Sequence, residues 1–92
     1  MRFLVDEVTK IPDGDGRSLV LFGEVERGTL RKGITVQLEI LGLSYKVRKV
    51  VQADGDHALL DEASAGQQVG VILDGLQNVR VQLGEVLVET AE

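Results

Sequence analysis

The sequence predicts an all-β fold, a closed six- to seven-stranded antiparallel β-barrel, and three observations lead to it. The apolar residues are mostly β-branched or aliphatic, with 14 valines and 4 isoleucines beside 13 leucines and only Phe3, Phe22 and Tyr45 as aromatics; such residues fit a pleated, half-buried surface. Apolar positions recur with period two in several short runs, so each run presents one buried face. Turn-forming residues then separate the runs at short, regular spacing. A barrel removes exposed strand edges, which suits a chain of 92 residues.

The first strand spans Phe3 to Ile11, and Pro12-Asp13-Gly14-Asp15-Gly16 ends it in a hairpin or wider loop. Ser18 to Glu26 forms the second, with Leu19, Leu21 and Val25 on one face; Gly23 in its interior predicts a bulge or a close backbone approach. Gly28 and Gly33 bracket the connection to a third, Ile34 to Ile40, in which every even position is apolar. Gly42 closes that strand, and Tyr45 to Val51 is the fourth. The chain breaks at Ala53-Asp54-Gly55-Asp56-His57. Leu59 to Ala65 is the one stretch able to hold a helical turn, before strands at Gln67 to Leu73 and Val86 to Thr90. No linker, repeat or low-complexity tract interrupts residues 1–92, so one domain is expected.

Composition removes several classes of function. Without cysteine there is no disulfide framework, thiolate metal site or cysteine nucleophile, and one histidine cannot complete a zinc site. Gly28-Thr29-Leu30-Arg31-Lys32-Gly33 has the glycine spacing of a phosphate loop, but Ile34 and Thr35 follow where lysine and a hydroxyl are needed, so nucleotide binding is not expected. Ser18, Ser44 and Ser64 lack a nucleophile elbow, and His57 sits in a Gly/Asp loop rather than beside a serine. Asp13-Gly14-Asp15 and Asp54-Gly55-Asp56 lack the alternating ligand register of a calcium loop and read as turns. The expected protein is not an enzyme and carries no cofactor or metal. No segment approaches the ~18 apolar residues of a membrane span, and the N-terminus has no signal-like apolar run. A soluble cytoplasmic protein is expected, and Met1 favours a complete small protein.

Charge alone favours a solvated outer face over a nucleic-acid site, while leaving room for a confined basic face. The net charge is −5, which opposes a uniformly basic nucleic-acid binder. However, nine of the ten Lys and Arg residues precede residue 54, whereas Arg80 alone faces eight acids after it. Two basic groups stand out: Arg27, Arg31 and Lys32 around one turn, and Lys46, Arg48 and Lys49 on the fourth strand. Lys46 and Arg48 are two apart and share a face of an extended strand, while Lys49 points away unless a bulge intervenes. Such cations can neutralise phosphates, but no interleaved aromatic offers a stacking platform.

Gly23-Glu24-Val25-Glu26-Arg27-Gly28 with Gly33, then Leu59-Leu60-Asp61-Glu62, Ala65-Gly66, Val69-Gly70-Val71, Leu73, Gly75 and Gly84-Glu85-Val86-Leu87, resemble in order and spacing the second domain of elongation factor Tu and related translational GTPases. The resemblance runs from Phe3 to about Leu87. It implies the translation-factor domain II barrel, a domain that does no chemistry itself and normally packs on a GTPase domain not present in these residues. In that reading Gly28, Gly33, Gly66, Gly70 and Gly84 serve turns and close strand approach, while Val25, Val69, Val71 and Leu87 fill the core. The family's pocket for the aminoacylated tRNA end is degraded: its Glu-Met-Phe-Arg run is replaced by Asp54-Gly55-Asp56-His57, and Gln68 stands where the family has asparagine. Asp56 adds repulsion toward a phosphate. The resemblance implies a binding module that docks on ribosomal RNA or a translation-associated protein, with Arg27, Arg31, Lys32, Lys46 and Arg48 as the RNA contacts. Its rival is a protein-interaction or self-assembly module, a homo-oligomer included, using the face that normally meets a GTPase domain.

Overall fold

The computed structural model describes residues 1–13, 16–53, 58–76 and 81–90. Among them are nine strands and no helix: β1 Arg2–Asp13, β2 Gly16–Arg27, β3 Thr29–Arg31, β4 Thr35–Leu38, β5 Leu43–Gln52, β6 Leu59–Leu60, β7 Glu62–Ser64, β8 Gln68–Asp74 and β9 Val86–Glu89. All pairings are antiparallel. They run β4-β9-β1-β2-β8-β5, and β5 pairs back to β4, so hydrogen bonds link six strands in a ring. The short β6 adds to β5, while β3 and β7 form a separate two-stranded ribbon. None of the described residues forms a helix long and apolar enough to cross a membrane.

Period-two alternation decides what fills the ring. Phe3, Leu21, Val36, Leu38, Val71 and Leu87 are among the fully buried residues of the main core. Val25 and Val69 join them, as expected from the sequence. Side chains one position away point outward, and on the outer face of β2, β5 and β8 a second cluster forms from Val20, Phe22, Val51 and Ile72. Its centre is Gly70, where a Cβ would lie 2.7 Å from the Phe22 ring and 2.8 Å from a Val20 methyl.

Two strand irregularities have physical causes. Val5 pairs with Gly23 and Glu7 with Phe22, leaving Asp6 as an extra residue in β1. The sequence pointed to Gly23, but the bulge lies on its partner; Gly23 itself supplies the close approach, with its hypothetical Cβ 1.8 Å from the Leu4 carbonyl oxygen. In β5 the register slips between Val47, opposite Leu73, and Lys49, opposite Ile72. Val47 and Val50 both enter the main core although three residues apart, so Arg48 and Lys49 are both left on the outer side.

Two expectations change. The third predicted strand ends at Leu38, not Ile40, because the Glu39–Gly42 stretch turns, with the Gly42 amide donating to the Leu38 carbonyl at 2.7 Å. Ile40 is consequently 56% exposed. Leu59 to Ala65 holds no helical turn: Leu59 and Leu60 pair with Val51 and Val50, then Glu62–Ser64 pair with β3, which buries Ala63 fully. Helical hydrogen bonds would withdraw that alanine from Leu30 and leave the Val50–Val51 edge of β5 without β6.

Candidate nucleic-acid interface

The site arises where one strand changes partners. After Leu60 the chain leaves β5, and by Glu62 it has joined β3. The turn that follows β3 is fastened to β5 higher up: the Gly33 amide donates to the Val47 carbonyl at 2.9 Å, and the Val47 amide donates to the Ile34 carbonyl at 2.8 Å. Between these two attachments lies the bulge at Arg48. The seam is a groove of about 210 Å³ lined by Lys32, Arg48, Lys49, Val50, Leu59, Leu60 and Asp61.

Lys32, Arg48, Lys49 and Asp61 thus line one concavity. Arg48 borders the groove with its side chain, and its Nη2 donates to the Ser18 hydroxyl on β2 at 2.6 Å, so the guanidinium is held toward the β2 side of β5. Asp61 and Lys32 form no ion pair among the described residues. Leu59 is 68% exposed at the mouth, so an apolar contact is available beside the charge. Like charges held together in a groove focus a positive potential that an anion relieves.

The predicted contact residues separate. Lys32 and Arg48, from the two basic groups, come together in the groove, and Lys49 joins them. The sequence allowed for Lys49 only through a bulge, and the bulge is present. Arg27 ends β2 opposite Arg2 and does not line the groove. Arg31 lies on β3 opposite Glu62, with an exposed ion pair of 3.8 Å. Lys46 stands opposite Asp74 on the neighbouring strand, outside the groove lining. Because the Arg31–Glu62 pair is more than half exposed, Arg31→Ala is expected to change unfolding free energy by less than about 0.5 kcal/mol, as read by urea denaturation.

A second, larger concavity of about 470 Å³ is lined by Asp6, Glu7, Thr9, Ile11, Phe22, Gly23, Ala53 and Gln68. Gln68 is the residue that the resemblance sets against an asparagine. Asp6 is present because of the β1 bulge, and with Glu7 it makes this concavity repel phosphate, unlike the seam. Asp54, Asp56 and His57, expected with Gln68 to form a degraded tRNA-end segment, lie outside the described residues.

No family model matches the sequence. Among solved structures, the chain is similar to a bacterial selenocysteine-specific elongation factor, EF-Sec, with a TM-score of 0.77 and 24% identity. The similarity covers 96% of this chain and 14% of that protein, so the chain spans about a seventh of its length. At this identity the likeness concerns the fold. The chain has an elongation factor Tu domain II-like fold.

Proposed function

We propose that the chain is a non-catalytic, cytoplasmic RNA-docking module of the translation apparatus, and that its contact is the seam between β5, β6 and the β3–β4 turn. The observation that carries this reading is the convergence of Lys32, Arg48 and Lys49 in one groove from two separated stretches of sequence. The fold shared with a translation elongation factor supports the setting, ribosomal RNA being the partner that setting suggests. In this reading the ring of six strands is a closed barrel, which holds the two sides of the seam at a constant separation. The groove supplies charge and apolar surface.

Binding of single-stranded RNA is expected to weaken with salt, with log K falling by about 2 per tenfold rise in salt for three phosphate contacts. The double change Arg48→Glu and Lys49→Glu is expected to lower affinity at least tenfold, whereas Arg27→Glu changes it less than about threefold. Filter binding and ribosome co-sedimentation measure both. Absence of binding even near 50 mM salt, or an equal loss from Arg27→Glu, would sink the reading.

A protein-interaction reading has its own observation. Ile40, Leu43 and Leu83 are 56%, 45% and 67% exposed, and their turns are tied together through Glu85. Self-association through this apolar end would appear as a dimer in analytical ultracentrifugation; a monomer at high concentration, with no partner on pull-down, counts against it.

A further inference from the structure

We propose that the seam groove selects an unpaired guanosine of single-stranded RNA, with Asp61 reading the Watson–Crick edge of the base. The inference rests on the RNA reading above and adds a specificity to it. Its starting point is a misfit. A groove meant only for phosphate has no use for a carboxylate, which repels the anion; yet Asp61 lines the same 210 Å³ as Lys32, Arg48 and Lys49. Leu59 and Leu60 add apolar contact that a phosphate does not use either.

A ligand that suits all of these side chains must offer acceptors and donors from one flat, partly apolar body. Guanine does so. Its O6 and N7 are paired acceptors, the arrangement that arginine and lysine recognise. Its N1–H and N2–H₂ are adjacent donors, and a carboxylate accepts both with its two oxygens. Adenine places an acceptor, N1, beside its N6 donors, and uracil flanks its single N–H donor with two carbonyl oxygens. Either would set a lone pair against Asp61. Cytosine offers one donor group beside the N3 acceptor. The Watson–Crick edge is free only in an unpaired base, so duplex RNA is excluded from this contact. The volume equals that of about seven waters, room for one base rather than a stacked pair. Aliphatic Leu59 and Leu60 cover a base face more weakly than an aromatic ring, so affinity depends on the cations and selectivity on Asp61.

The test uses fluorescein-labelled uridine octamers carrying one central guanosine, adenosine or inosine, with fluorescence anisotropy at about 50 mM salt. The guanosine octamer is expected to bind about tenfold tighter than the adenosine octamer, with inosine between them because it lacks the N2 amine. Asp61→Asn is expected to bring the three within about twofold of one another without weakening the adenosine complex, since a repulsive charge has been removed. The conservative Asp61→Glu is expected to retain part of the preference, a readout that a purely structural role would not give. Pairing the octamer with its complement is expected to erase the preference. Equal binding of guanosine and adenosine octamers, or a preference that survives Asp61→Asn, overturns the inference and leaves RNA docking standing. Failure of every octamer to bind overturns both. Guanosine monophosphate competing as well as the octamer would assign the groove to a free nucleotide and overturn the RNA source.

Discussion

Replacing Glu85 with alanine is expected to lower the unfolding free energy by about 3 kcal/mol, a large share of the ~5–14 kcal/mol typical of a domain this size. Glu85 is fully buried and yet has its acceptors satisfied. Its Oε1 accepts from the Ile40 amide and from its neighbour Val86, each at 2.8 Å, and its Oε2 accepts from the Leu41 amide at 3.2 Å. The turn after β4 has left the sheet ladder, so this carboxylate takes the place of a strand for those amides. Alanine leaves three donors without partners, and water can reach only those near exposed Ile40, which limits the repair. Glu85→Gln keeps one carbonyl oxygen but turns an NH₂ toward a donor, and about 2 kcal/mol is expected. Thermal unfolding by circular dichroism should show a fall of ~12 °C or more for alanine. A loss under ~1 kcal/mol for Glu85→Ala would mean that the turn holds itself.

Gly23→Ala is expected to be more damaging still, above ~4 kcal/mol, and to leave little soluble folded protein. The cause is space rather than backbone conformation. An added Cβ would stand 1.8 Å from the Leu4 carbonyl oxygen and 2.8 Å from its carbon, and both are backbone atoms of the paired strand. Relief requires parting β1 from β2, the hairpin that also carries Leu21 and Val25 into the core. Gly70→Ala is the informative control. Its Cβ would meet side-chain ends of Phe22, Val20 and Val51 at 2.7–2.9 Å, which can shift, so about 1–3 kcal/mol is expected. Urea titration of the two variants should rank them in that order. Equal, small losses would show that β1 slides past Gly23 without cost.

Much of this arrangement was legible in the chain itself. Alternation in Val36 and Leu38 marked a one-sided strand, and Gly23 inside a β-branched run marked a close approach, because both signals are local consequences of the pleat. The limits of legibility have the same origin. Ile40 continues the alternation perfectly in sequence, but Glu85, 45 residues away, draws the turn out of the sheet. Leu59 to Ala65 carried no decisive period, since two and three residues of strand are too few to show one. Its structure follows from which strands stand beside it.

The basic site divides along the same line. That cations cluster before residue 54 is a property of the sequence, as is the all-β character that follows from valine content and turn spacing. Which cations meet was decided only by tertiary structure. Lys32 joins Arg48 because the β3–β4 turn is pinned to Val47, and Lys49 joins them because β5 gains a residue against β8. A bulge is a mismatch between two strands, and neither strand alone encodes it. Local periodicity therefore determined the elements and their buried faces, whereas the groove, with Asp61 set among its cations, came from the register in which distant strands pair.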